Sequence, residues 1–140
     1  MAAAAAGGQS RSDDETGRGQ ALFTICAACH GSEGQGERSL GGPALAGQYA
    51  AYLERQIELF RSGARGGDAN SAAMKEMVRS LDRAAWPAAI SYIETLKELP
   101  LPAVRTLAGD VKRGKDIYAS CATCHGGRGE GIEKIGRAHV

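Results

Sequence analysis

Bulky side chains are scarce in this chain of 140 residues. Seven are aromatic: Phe23, Tyr49, Tyr52, Phe60, Trp86, Tyr92 and Tyr118. Of the 43% that are hydrophobic, the largest share is alanine, 25 residues. A core built from alanine buries little area, and a small domain with a thin core needs a disulfide, a metal or a cofactor to stay folded. Charge of one sign is also missing. Seventeen Lys and Arg face sixteen Asp and Glu, a net charge of +1, without the basic excess of a nucleic-acid binder. No apolar run approaches the ~20 residues of a membrane-spanning helix. The 20 glycines have no three-residue period, which excludes a collagen-like chain. No stretch alternates convincingly as a strand, so the elements read as helices.

The four cysteines fall into two pairs, Cys26-Ala27-Ala28-Cys29-His30 and Cys121-Ala122-Thr123-Cys124-His125. Each is C-x-x-C-H, the attachment signature of a c-type haem. Two thiols three residues apart on a helical turn can add to the two vinyl groups of one haem, and the adjacent histidine then sits under the iron. Three other uses compete: a structural zinc on two C-x-x-C knuckles, a thioredoxin-like dithiol, and disulfides. All three leave the histidines unexplained, and the dithiol reading also requires a βαβ context. Chance places a histidine after a given pair roughly once in 40.

The motifs lie inside a longer repeat. A shift of 95 positions lays Arg18-Gly19 on Arg113-Gly114, and Gly31, Gly34 and Gly36 on Gly126, Gly129 and Gly131, without a gap. Glycines at these offsets allow a positive-φ turn and a close backbone approach after each histidine. In the first repeat, Leu22, Ile25, Cys26 and Cys29 share one face of a predicted helix over 14–28, with a polar, disordered stretch before it. Residues 31–47 read as a loop. Tyr49, Tyr52, Leu53, Ile57 and Phe60 predict a helix over 48–62, stopped by Gly63. After the loop 64–70, Ser71 is expected to cap a helix carrying Met74, Met77, Val78 and Leu81. Asp82 is expected to cap a last helix through Leu96, with a small distortion at Pro87 in its second turn. Leu99-Pro100-Leu101-Pro102 reads as a stiff linker. A helix from near Asp110 into Cys121 begins the second repeat, and nothing after Gly131 repeats residues 48–96.

On these residues the chain resembles a class I c-type cytochrome with two haem motifs, most similar to the cytochrome c4 family. Pro43-Ala44-Leu45-Ala46-Gly47-Gln48 is similar to that family's P-x-L-A-G-Q. Tyr52-Leu53 with Gln56, Phe60, Gly63 and Arg65 resembles its Y-L-x-x-Q helix and G-x-R loop. Met74-x-x-Met77 followed by Tyr92-Ile93 resembles its last segment. The resemblance implies an all-α fold of tandem cytochrome c-like modules, the second incomplete. It divides the chain into a disordered leader or signal-peptide remnant (1–15), a first module (16–98), a Pro-rich linker (99–107) and a partial second module (108–134). It implies thioether attachment at Cys26, Cys29, Cys121 and Cys124, axial ligation by His30 and His125, and a Pro43 carbonyl that orients His30. Gly19 and Phe23 are expected to pack on the last helix near Tyr92, chiefly as ordinary core.

Met74 and Met77 lie three apart, so both can face a haem. Met74 sits soon after the glycine-rich loop, and the family's ligand is the first methionine of M-x-x-M, so Met74 is the expected sixth ligand and Met77 a core residue. Histidine and methionine fill both axial positions, which favours electron transfer. The implied function is a periplasmic diheme electron carrier, not an enzyme. Its expected partners are a quinol-oxidising complex and a terminal oxidase, with no nucleic acid, and peripheral contact with a membrane is compatible with this. The alternative is a cytochrome subunit or domain of a larger dehydrogenase or oxidase. A diheme peroxidase needs an open iron, which Met74 closes.

Haem attachment of this type belongs outside the bacterial cytoplasm. Met1–Gly7 reads either as the end of a secretory signal or as an alanine-rich leader. Residues 135–140, Ile-Gly-Arg-Ala-His-Val, are encodable by ATC GGA AGA GCA CAC GTC, a common sequencing-adapter string. They are expected to be a non-native tail, so His139 is not taken as a ligand.

Overall fold

A computed structural model describes residues 9–99 and 108–136, with only the backbone of 9–13. Leader residues 1–8, linker residues 100–107 and tail residues 137–140 lie outside the described residues. Among the described residues five α-helices follow in order: α1 (Gln9–His30), α2 (Ala50–Ser62), α3 (Ala69–Ser80), α4 (Trp86–Thr95) and α5 (Val111–His125). Among the described residues there is no strand, only two isolated antiparallel bridges, Glu37 with Gly42 and Ile132 with Gly136. The helical expectation is met. α1 starts five residues before the predicted 14, inside the stretch read as a leader.

Helix ends follow local chemistry. Gly63 stops α2 at φ 81°, its N–H donating to the Phe60 carbonyl. The cap of α3 differs from the sequence reading. Asp68, not Ser71, is the N-cap and accepts from the N–H groups of Asn70 and Ser71. Ser71 lies inside the helix, and its hydroxyl bonds the same carboxylate. A carboxylate three residues earlier out-competes the serine because it reaches two orphan donors and the hydroxyl together. The Asp82 side chain accepts from Ala84 as expected, but what it caps is the 3-10 turn Arg83–Ala85. α4 starts only at Trp86, so Pro87 falls in its first turn, where a missing N–H costs nothing. The expected distortion rested on a second-turn position that Pro87 does not occupy.

Two clusters form the core. Phe23, Leu53, Ile90 and Ile93 make the first, with Cys26, Tyr52 and Tyr92 against it. Phe60, Val78 and Trp86 make the second, with Ile57, Met74 and Leu81 against it. α1 crosses α4 at Gly19, where a Cβ would collide with the Ala88 carbonyl and approach Tyr92 Cβ to 2.8 Å. One helical turn on, the rings of Phe23 and Tyr92 meet at 5.4 Å and 51°. Both are core contacts, as expected. α5 has no buried residue. Gly136, in the tail expected to be non-native, lies against the Tyr52 ring.

Candidate haem-attachment site

Cys26, Cys29 and His30 occupy the last turn of α1. All four cysteines are free thiols. Cys26 is half-buried against the first core cluster, whereas Cys29 is exposed. Burial pushes the Cys26 thiol up, opposed by a backbone hydrogen bond, with the neighbouring Cys29 adding to the rise. His30 is 7% exposed. Its Nδ1 lies 2.7 Å from the Pro43 carbonyl. A carbonyl can only accept, so Nδ1 carries a proton, and in the neutral imidazole the lone pair is then on Nε2. Burial lowers the His30 pKa, and the Pro43 bond opposes this. Burial thus favours the neutral imidazole and the Pro43 bond turns it, which is the form a metal-ligating histidine needs.

The loop 31–47 builds this arrangement. The Gly36 N–H donates to the His30 carbonyl (2.7 Å), and the N–H groups of Leu45 and Ala46 donate to the Gly34 carbonyl (2.7 and 3.0 Å). Gly31, Gly34 and Gly36 all have positive φ. Gly42 sits so close under α1 that a Cβ would collide with the Cys29 carbonyl. Its place next to Pro43 is what brings the proline carbonyl to His30. Nothing beside the motif signals this role, since residues 31–47 read only as a glycine-rich loop.

Met74 is half-buried and packs on Phe60, Val78 and Trp86. Met77 is also half-buried but belongs to neither cluster, and its sulfur lies 4.0 Å from the Ser80 hydroxyl. The expectation that Met77 is the core methionine is not met. Met74, Val78 and Leu81 form one stripe at helical spacing, and Met77, one residue before Val78, is turned about a quarter-circle away.

The second motif closes α5. Cys121 and Cys124 are exposed and His125 is half-buried. The structure thus sets His30 with Cys26 and Cys29, and His125 with Cys121 and Cys124, in one helical turn each. The counterpart of Pro43 by the 95-residue shift is residue 138, outside the described residues.

The residues of the first site fit a covalently held haem. Two unpaired thiols lie on one turn beside a buried, carbonyl-bonded imidazole with a free Nε2. Among the described residues no three His, Cys, Asp or Glu side chains converge as ligands for a metal ion.

Comparison with known proteins agrees. The cytochrome c family model matches residues 17–97. A cytochrome c4 of Azotobacter vinelandii is 35% identical over 71 residues, 51% of this chain and 34% of that protein. A thiosulfate dehydrogenase electron acceptor of Stutzerimonas stutzeri is 30% identical over 120 residues, 76% of this chain and 52% of that protein. The solved thiosulfate dehydrogenase (TsdBA) of Marichromatium purpuratum aligns with a TM-score of 0.71 and 28% identity, over 85% of this chain and 28% of that one. The chain thus spans between 28% and 52% of the length of these three relatives. With C-x-x-C-H closing α1, the imidazole bonded to Pro43 and the family match across all four helices of the first repeat, the chain belongs to the cytochrome c family and is an all-α, class I c-type cytochrome resembling cytochrome c4.

Proposed function

We propose that the chain is a periplasmic diheme c-type cytochrome that passes single electrons between respiratory redox proteins and has no catalytic residue of its own. One haem c would be attached at Cys26 and Cys29 and ligated by His30 and Met74. The other would be attached at Cys121 and Cys124 and ligated by His125. The observation that carries this reading is the buried His30 imidazole, protonated on Nδ1 by its bond to Pro43 and flanked by two free thiols. An iron with both axial positions filled supplies one-electron chemistry without binding a substrate. The protein's part is to orient the imidazole, keep it neutral and shield it from water. The half-buried Met74, packed on the second cluster, would present the thioether.

On the partner side, the expected donor is a quinol-oxidising complex and the expected acceptor a terminal oxidase. A second reading, a cytochrome subunit or domain serving a larger dehydrogenase, is favoured by the likeness to a thiosulfate dehydrogenase and to an electron acceptor named for that enzyme. Maturation of the chain with haem-attachment machinery, followed by intact-mass analysis, tests the haem count. A mass for two haems is expected. A mass for one, with Cys121 and Cys124 open to alkylation, would remove the second site. Reduction by a purified dehydrogenase, set against reduction by a quinol-oxidising complex, distinguishes the donors.

A further inference from the structure

The connection between α2 and α3, residues 63–68, contains Gly63, Gly66 and Gly67. Such a segment has much conformational freedom to lose, so something must fix it if α3 is to sit in one place. Arg65 contributes one backbone bond and two side-chain contacts to this. The Arg65 backbone N–H donates to the Leu59 carbonyl (3.0 Å). Its guanidinium lies 4.6 Å from the centroid of the Phe60 ring, and its Nη1 donates to the Gln56 Oε1. Arg65 therefore grips one full turn of α2, although the residue itself is exposed. The next residue, Gly66, is buried at φ 94°, and a Cβ there would come within 2.7 Å of Lys75 Cβ. Residues 65 and 66 thus hold α2 on one side and α3 on the other, at the residue next to Met74. The Phe60 ring that Arg65 covers packs in the same cluster as Met74.

We propose that Arg65 is a positioning residue for Met74. By clamping the 63–68 loop to α2, it fixes the place from which α3 presents the thioether to the iron. The inference rests on the reading of Met74 as the sixth ligand. Without the clamp, the methionine leaves the iron more often, while the core and the attached haem remain. Lysine in its place keeps a cation over Phe60 but loses the planar fork that reaches Gln56 as well.

The test is imidazole titration of the ferric, matured protein, read by loss of the iron–sulfur charge-transfer band, which reports only a methionine-ligated haem. Arg65→Gln is expected to bind imidazole about tenfold more tightly, because apparent affinity scales with the fraction of molecules in the methionine-off state. Arg65→Lys is expected to fall between it and the parent. Glu58→Gln, which breaks exposed ion pairs to Arg61 and Arg83 without touching the loop, is expected to match the parent. Should Arg65→Gln fail to accumulate haem, Arg65→Lys is judged alone against the parent. Parent-like imidazole binding in the Arg65 variant, or an equal gain in Glu58→Gln, overturns the proposal. Met74→Ala is measured alongside. If its charge-transfer band survives, the ligand reading falls. If the band is lost while the Arg65 variant behaves as the parent, only the clamp falls.

Discussion

The turn after His30 and the turn after His125 close with the same hydrogen bonds. Gly36 donates to the His30 carbonyl at 2.7 Å, and Gly131 to the His125 carbonyl at 2.8 Å. Gly31 donates to Ala27 at 3.0 Å, and Gly126 to Ala122 at 2.9 Å. Even the side-chain closures correspond. Gln35 accepts from the Glu33 N–H at 3.0 Å, and Glu130 from the Arg128 N–H at 2.7 Å. The isolated bridges begin at matching positions, Glu37 and Ile132. Yet the first histidine is buried and bonded to Pro43, while the second is half-buried at the end of a helix with no buried residue. A motif thus folds its own loop from nearby residues, whereas the burial and orientation of its histidine come from elements farther along the chain.

Removing the thiols should separate the two regions most widely. Replacing Cys26 and Cys29 by Ala is expected to leave the first repeat with little fixed tertiary structure, because its alanine-rich core lacks bulk. Replacing Cys121 and Cys124 should leave the unfolding of the first repeat nearly unchanged. Near-ultraviolet circular dichroism and thermal unfolding of both double variants check this. Near-native cooperative unfolding of the first would contradict it.

The glycine pair Gly19 and Gly114 gives the next largest contrast. Gly19→Ala pushes a methyl into the α1–α4 crossing and should cost about 1–3 kcal/mol. At Gly114 a Cβ meets nothing within 4 Å, so Ala there should stabilise α5 by roughly 0.5–1 kcal/mol through helix propensity. Denaturant melts of the first variant and the helicity of the second are the measurements. Equal effects would mean that α5 has a partner helix in solution.

A smaller effect is expected at Tyr118, the counterpart of Phe23. Its hydroxyl donates to the Gly126 carbonyl at 2.7 Å. Tyr118→Phe should lose about 0.5–1.5 kcal/mol of local stability, seen as faster amide exchange in residues 126–131. Unchanged exchange would show that the glycine turn holds without it.

The smallest effect belongs to Asp68. Its carboxyl is held below the usual value of 3.8, first by the Ser71 hydroxyl and then by the Ser71 backbone N–H. With its folded pKa lowered, the cap's contribution is full above the ordinary carboxylate pKa and lost as pH falls through the lower folded value. Asp68→Asn keeps an acceptor oxygen but no titrating group. In acid titrations followed by helix content, it should flatten the dependence below about pH 4. An unaltered profile would assign that dependence to other carboxylates.

The residues alone determined the helical class, the two C-x-x-C-H motifs, their glycine turns and the Gly63 stop, because each depends on partners close in sequence or on a pattern of period 3.6. The Phe23–Tyr92 contact was also legible, but only through resemblance. The tertiary structure decided which donors and acceptors meet when several lie within reach: Asp68 over Ser71 at the start of α3, Met74 over Met77 in the second cluster. It also decided that Gly42 lies under Cys29, that Arg65 reaches back to α2, and that His30 but not His125 is buried. The Asp68 and Arg65 contacts span two to nine residues, whereas those of Gly42, His30 and Met74 join segments farther apart along the chain. Their formation requires loop closure and burial, whose free energies depend on the whole packed core and leave no mark on the residues beside the motif.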